Sequence, residues 1–380
     1  MTLGGETEEP NPGGVRDPSL RTAEGGGAPT EVETKGRSLL DASAGRRASG
    51  HAPPDGRDRM RGIRPLHRVL LAAVLLVGTA INVRFALRTG DALSCYNLGV
   101  DTDKYDAAAR RIVATGRLDV PPLQPPGYIL YLALVYKLSG LNVVVPKLLA
   151  CAMLLLTAYG GWRLGASTAG PGAGFVTAAL LICSPVLRAY AATIQYEVPA
   201  ALLFLASVSA VRAASSRGLT GIRRLAGLSG AALLCALTTL TRETFLFVFP
   251  VLLVYVVVST KAPLRERAAV AAVMAAVFAS VLGAWSVIQH GRTGQWILVS
   301  QKGPLVLLYG HNPNANGTYN ATLKPVVEPA GWNFIRRHPG AEARLALRKV
   351  GYFFGFLKDG WNVPRRSGLL VARLTFGRLS

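Results

Sequence analysis

The chain has 380 residues, half of them hydrophobic, with a mean hydropathy of +0.32 and a formal net charge of +21. Hydropathy of that size is high for a soluble protein, and the apolar residues gather in long blocks without an amphipathic period, so the class is a polytopic membrane protein. Lys and Arg fall in the N-terminal tail, in short loops between apolar blocks and in the C-terminal segment, with no aromatic-interleaved basic patch. That excludes nucleic acid as the partner and leaves positive-inside topology as the meaning of the charge.

Residues 1–65 are rich in Gly, Pro, Glu, Asp and Arg and almost devoid of large apolar side chains, so they cannot bury enough surface to offset the entropy of ordering. They are predicted to be a disordered cytoplasmic tail. No short apolar stretch precedes a cleavage site, so the tail is not read as a signal peptide. The basic run from Arg57 to Arg68 directly precedes the first apolar block, VLLAAVLLVGTAINVRFAL, and the positive-inside rule then sends the first helix outward.

Residues 88–127 follow as an outer loop. Within it, DTDKYDAAARRIVATG opens with three acids, Asp101, Asp103 and Asp106. Tyr105, Ala108, Ala109, Ile112 and Val113 share one helical face, a pattern suited to a helix resting on the membrane interface. Asp101 or Asp103 can cap the N-terminus of that helix, and for either aspartate alone capping accounts for the residue as well as chemistry does. Asp106 is read as a solvated helix residue. Carboxylates close to hydrocarbon are costly, and by default such acids are read as functional.

The run 128–141, bracketed by Pro125–Pro126 and Ser139–Gly140, is short for a span and is expected to be a juxtamembrane or re-entrant outer helix. Further apolar blocks cover roughly 142–163, 172–192, 197–211, 226–241, 244–259 and 268–288. The connections RAASSRGLTGIRR (212–224) and KAPLRER (261–267), with Arg163, mark the inside. Asp101, Glu197, the turn TRET (241–244) and everything after His290 then fall outside, and the parity closes only if 128–141 does not cross. Three of the four cysteines lie in apolar blocks and no CxxC pair occurs, so neither a disulfide framework nor a zinc site is supported. NPNANGTYNAT is read as a structured turn and not as a glycosylation site.

Asp-x-x-x-Tyr followed by AAARRIVATG and PPGYILYLALVYKLSG resembles the first outer loop of the C-type superfamily of polytopic glycosyltransferases (GT-C), which includes protein O-mannosyltransferases and lipid A aminoarabinose transferases. Ser184–Pro185 ending one block, Glu197 opening the next, LTRETFLFVFPVLL with Arg242, GPLVLLYGHNPNANGTY and HPGAEARLALRKVGYFF are similar in order and spacing, over about residues 67–358. The resemblance implies that an acid of the first outer loop is the catalytic base. Asp101, four residues before Tyr105, matches that position best, and Asp103 is the second choice. A carboxylate within hydrogen-bond reach can take the proton of an acceptor hydroxyl as the anomeric carbon is attacked.

The resemblance also implies a second acid in the same cavity at Glu197, placing the acceptor or binding a cation. An exposed cap at a helix N-terminus is the plainer account of that residue. Arg242 would hold the leaving lipid phosphate, although a snorkelling arginine or an ion pair with Glu243 explains it almost as well. Lys302 and His311 are further phosphate-binding candidates.

The expectation is thus an all-α membrane protein with about seven or eight transmembrane helices and outer juxtamembrane helices. Residues 66–290 form the GT-C-like module and 291–380 an extracytoplasmic C-terminal segment. The expected activity is inverting transfer of a sugar from a polyprenyl-phosphate donor to an envelope glycan, lipid or protein, in the plasma (cytoplasmic) membrane with the N-terminus cytoplasmic. No cofactor is required by this reading, and a divalent cation stays open. The rival readings are a non-catalytic envelope accessory protein and a lipid-linked sugar transporter or flippase. The flippase calls for inverted repeats, and the sequence shows none.

Overall fold

The computed structural model describes residues 65–94, 100–216, 221–260, 262–317, 330–353 and 356–357, and among them every regular element is helical. The predicted tail over 1–65 lies outside the described residues apart from its last position, as does most of the segment beyond 353. In chain order the helices are α1 Pro65–Thr89, α2 Val100–Thr115, α3 Pro126–Ser139, α4 Val144–Ala169, α5 Pro171–Cys183, α6 Pro185–Ala191, α7 Glu197–Ser216 and α8 Gly221–Thr241. A 3₁₀ turn over Glu243–Phe247 leads into α9 Val248–Ser259, followed by α10 Leu264–Thr293, α11 Lys302–Gly310, α12 Ala330–Arg337 and α13 Pro339–Phe353.

Five helices, α1, α4, α7, α8 and α10, are long and apolar enough to cross a membrane, and a sixth span results if α5 and α6 are counted together. The 3₁₀ turn and α9 together form a shorter apolar helix, Glu243–Ser259. The block 172–192, continuous in the sequence, is bent by 52° at Ser184. Pro185 cannot donate a backbone hydrogen bond, and the Ser184 side chain accepts from the Leu187 amide at 3.3 Å to start the second half. The bend leaves backbone to be satisfied inside the bundle. Asn82 of α1, 1 % exposed, donates to the Ile182 carbonyl at 3.1 Å and accepts from Arg188 Nε at 2.9 Å. Polar groups at that depth survive because they satisfy one another.

The helices α4 and α5 pack at close range through small residues. A Cβ added at Gly174 would lie 2.6 Å from the Trp162 carbonyl and 2.8 Å from the Ala166 amide. Without hydrophobic drive between helices in lipid, such close backbone approach supplies the packing.

The bundle has two chemically distinct ends. At one, Arg212 donates to the Ser167 carbonyl at 2.9 Å, Arg224 meets Thr260 and lies 3.9 Å from Glu266, and Arg267 donates to the Ala262 carbonyl at 2.6 Å. These contacts gather the ends of α4, α7, α8, α9 and α10 that the positive-inside argument had grouped. At the other end, the fully buried Lys147 donates to Thr89 Oγ1 and to the carbonyls of Gly90 and Ala92, closing the C-terminus of α1 onto the start of α4.

The α2–α3 hairpin belongs to this second end. Arg292, in the last turn of α10, pairs with Asp119 at 2.7 Å and donates to the Val120 carbonyl, and the Gln301 amide donates to the Pro122 carbonyl at 2.8 Å. At 1.5 Å per residue α3 is about 21 Å long, short of a hydrocarbon core of about 30 Å. Its first turn abuts the end of α8 at Thr241, and its C-terminal Gly140 leads within a few residues to α4, whose Lys147 is tied to the end of α1.

Two expectations for α2 are corrected by its packing. Its apolar face does not lie open to an interface: Tyr105, Ala108 and Ala109 are fully buried against α3, in a cluster with Ile129, Leu132, Tyr136, Ile194 and Trp285. Asp106 is not solvated. It is 8 % exposed, accepts from Tyr136 Oη at 2.5 Å and from Arg110 Nε at 2.8 Å, and pins α2 to α3. Since the helix begins at Val100, Asp101 and Asp103 lie in its first turn, beyond the cap position. Asn312 shapes the turn after α11, accepting from the Asn314 amide and donating to the carbonyls of Leu308 and Tyr309; the rest of NPNANGTYNAT beyond Gly317 lies outside the described residues.

Candidate functional site

Four isolated charges, spread over 200 residues of sequence, meet at the hairpin end of the bundle. Lys302, the first residue of α11, donates to Asp101 Oδ2 at 2.7 Å, and Lys104 stands 3.7 Å from the other carboxylate oxygen. Arg242, just past the end of α8, lies 3.8 Å from Glu197 Oε1 at the first turn of α7. Tyr196 joins the two pairs. Its ring packs edge-on against Tyr105 at 5.6 Å and against Tyr128 at 6.5 Å, and the Arg242 guanidinium sits 5.4 Å from its centroid. With Tyr105 and Tyr128 also edge-on at 5.5 Å, three rings form the floor of the site. Each edge-to-face pair contributes about 0.5–1.5 kcal/mol beyond burial, so the floor is held rigidly.

The two carboxylates differ in what they are given. Burial would raise the Asp101 carboxyl, but the Lys302 hydrogen bond and charge, with help from Lys104 and Gln124, outweigh it and hold the group below the usual carboxylate value. Lys302 shows the mirror effect, since burial lowers it but Asp101 wins and leaves it raised. Glu197 has a looser partner: Oε2 is buried with no hydrogen bond, and the carboxylate otherwise meets its own backbone amide and, 3.8 Å from Oε1, the Arg242 guanidinium. Burial pushes the Tyr105 and Tyr196 phenols upward, so both remain neutral.

The remaining candidates are placed apart. Asp103 is exposed on α2 and is not brought to the site. His311 stands at the far end of α11, roughly 13 Å from Lys302 by helical rise, with Nδ1 2.8 Å from Glu342 and Nε2 3.3 Å from Lys349 Nζ. Glu243 does not pair with its neighbour Arg242; it accepts from the Ser300 hydroxyl. Among the described residues, no three His, Cys, Asp or Glu side chains come together to hold a metal ion.

Two cavities converge on Arg242. The first, of 1110 Å³, is a groove between α4, α5, α7 and α9 that reaches from Glu197 and Arg242 past Phe204, Leu205 and Val208 to Arg212 at the basic end. The second, of 1040 Å³, lies between the 3₁₀ turn, α11 and α12, and takes in Tyr196, Lys302, His311 and Trp332. Arg242 borders both.

Glu197 and Lys302 were legible in the sequence as lone charges beside apolar blocks, Arg242 as the only cation of an outer turn, and Asp101 as one of the three acids that open the 101–116 stretch. The tyrosine floor was missed because nothing in the spacing of Tyr105, Tyr128 and Tyr196 relates them. One signal was available for Tyr196, its place directly before the acid that opens α7. No family model, curated protein or solved structure matches the chain.

Proposed function

We propose that the chain is a membrane glycosyltransferase of the GT-C type that moves a sugar, with inversion, from a polyprenyl-phosphate donor to a hydroxyl acceptor. The observation that carries this reading is the Glu197–Arg242 pair at the head of a long apolar groove between the spans, joined through Tyr196 to the Asp101–Lys302 pair. A polyprenyl chain fits such a groove, its phosphate would reach Arg242 and Lys302 where it emerges, and its sugar would project over the tyrosine floor. Fixed cations in a setting of low dielectric stabilise the charge that develops on a leaving phosphate.

In the reaction the acceptor oxygen forms its bond to the anomeric carbon as the bond from that carbon to the phosphate oxygen breaks. The phosphate leaves with the electron pair, and the hydroxyl proton passes to a carboxylate. Asp101 is that base. While Lys302 holds it, the carboxylate is a poor proton acceptor, and the donor phosphate therefore acts twice, since by drawing Lys302 to itself it also releases Asp101. Glu197, with its free oxygen, orders the acceptor hydroxyl. By the positive-inside rule the arginine-rich end faces the cytoplasm and the site faces away from it, where nucleotide sugars are absent and a lipid-linked donor is the natural source.

The reach of the groove to Arg212 favours one rival, a carrier of lipid-linked sugars with a cation at each end of its path. Reconstituted vesicles containing a radiolabelled polyprenyl-phosphate sugar separate the two. The transferase moves label off the lipid phosphate onto an acceptor, and the carrier moves intact labelled lipid between leaflets. Label that stays on the lipid phosphate with every sugar and every acceptor offered would overturn the transferase reading.

A further inference from the structure

The second cavity says what kind of acceptor the site takes. It differs from a sugar or peptide site in its walls: Phe247, Leu305, Leu308 and Trp332 line it, and apart from His311 at the far end of α11 its charged groups lie where it meets Arg242 and Lys302. Pockets for drug-sized ligands run roughly 300–1,000 Å³, and this one exceeds that at 1040 Å³. Its Phe247 wall borders an exposed apolar surface. Phe247, 78 % exposed, ends the 3₁₀ turn and leads directly into α9, whose exposed Val251, Val254 and Val258 recur at helical spacing on one face. In a bundle of membrane-spanning helices an exposed apolar stripe of that kind faces hydrocarbon.

We infer that the second cavity holds the acyl chain of a membrane lipid whose hydroxylated headgroup is the acceptor, so that two amphiphiles enter from the bilayer through separate cavities and meet head to head at Arg242. The donor tail occupies the groove beside Leu205 and Val208, and the acceptor tail lies along α11. Arg242, on the border of both cavities, stands between the two headgroups. A protein or a free glycan would place a strongly hydrated chain against Leu305 and Leu308, leaving polar groups unpaired. This inference rests on the transferase reading and narrows its acceptor to a lipid.

The test uses the full chain in vesicles doped with a phospholipid that carries a photoactivatable diazirine in its acyl chain. Adducts are expected both beside Leu205 and Val208 and along α11 at Leu305 and Leu308. An excess of polyprenyl phosphate should clear the first set and leave the second. Leu308→Glu should lower the α11 adducts and the transfer of sugar to lipid by roughly tenfold or more, since an unpaired carboxylate against an acyl chain is costly, while the adducts beside Leu205 persist and report that the variant is folded. Adducts absent from α11, or cleared from it by polyprenyl phosphate together with the others, would overturn the inference.

A second arm offers a radiolabelled polyprenyl-phosphate sugar with a membrane lipid extract, a membrane protein fraction or a soluble glycan as acceptor. Label recovered in a new organic-soluble lipid supports the inference. Label that passes to protein or to water-soluble glycan overturns it while the transferase reading stands. If label never leaves the donor, the transferase reading fails, and with it the lipid acceptor.

Discussion

Asp101 and Glu197 are both carboxylates at helix first turns, yet their partners give them different work. Asp101 is held by Lys302 at 2.7 Å and its carboxyl is lowered, whereas Glu197 Oε2 has no hydrogen bond. Asp101→Asn keeps the shape and removes the base, so turnover is expected to fall about a hundredfold to ten-thousandfold with donor binding retained. Glu197→Gln is expected to raise the KM for acceptor more than it lowers kcat. The opposite pattern, a dead Glu197→Gln and an active Asp101→Asn, would exchange the two roles. Arg242→Ala is expected to weaken donor binding as well, because the phosphate loses its fixed cation; binding of polyprenyl phosphate to the purified variant measures this.

The Asp101–Lys302 pair also fixes a pH response. Asp101 is depressed, so its contribution is complete above the ordinary carboxylate value and is lost as pH falls through the lowered one; Lys302 is raised, so its contribution is complete below the ordinary lysine value and is lost only above the raised one. The difference in Tm between wild type and Asp101→Asn should therefore stay constant from about pH 5 to about pH 9. A difference that vanished near neutral pH would show that the pair does not form. Sequence made Lys302 visible as a lone charge before an apolar run and Asp101 as part of an acidic helix start near the membrane. It hid Asp106, whose i, i+4 partner Arg110 resembles any solvated helix pair, while the hydroxyl that buries it comes from Tyr136, thirty residues away.

At the scale of elements, the hairpin of α2 and α3 positions the site, and its seat on α8 is narrow. A Cβ at Gly127 would lie 2.7 Å from Thr241 Oγ1 and 2.8 Å from the Thr241 backbone nitrogen, one residue before Arg242. Backbone cannot yield as a flexible side chain can. Gly127→Ala is expected to cost about 1–3 kcal/mol and to move Arg242 relative to Glu197, so that transfer is lost more completely than stability. Gly172→Ala, where an added Cβ meets nothing within 4 Å, is the matched control and should leave both Tm and transfer unchanged. Equal activity of the two variants would mean that α3 does not set the position of Arg242. That α3 is short and bracketed by Pro125 and Gly140 could be read from the chain, because proline and glycine act locally. Its seat on α8 could not, because nothing in PPGY names a partner more than a hundred residues on.

For the whole molecule, the sequence revealed membrane character and the grouping of loops through hydropathy and charge, which are sums over many residues and survive local misreading. The meeting of two cavities at one arginine is a property of three-dimensional packing and left no trace in the chain. The same sums yield the last prediction. Arg212, Arg224 and Arg267 gather at one end, while Asp101, Glu197, Arg242 and Lys302 gather at the other. If the basic end is cytoplasmic, single cysteines placed at the exposed positions Asp103 and Gln295 in an otherwise cysteine-free chain should react with an impermeant thiol reagent in intact cells. A cysteine at the exposed Arg223 should react only after the membrane is opened. Reaction at 103 and 223 from the same side would break the two-ended arrangement itself. Reaction at 223 alone in intact cells would keep the arrangement but invert it, turning the site toward the cytoplasm, where nucleotide sugars are present and the argument for a lipid-linked donor loses its basis.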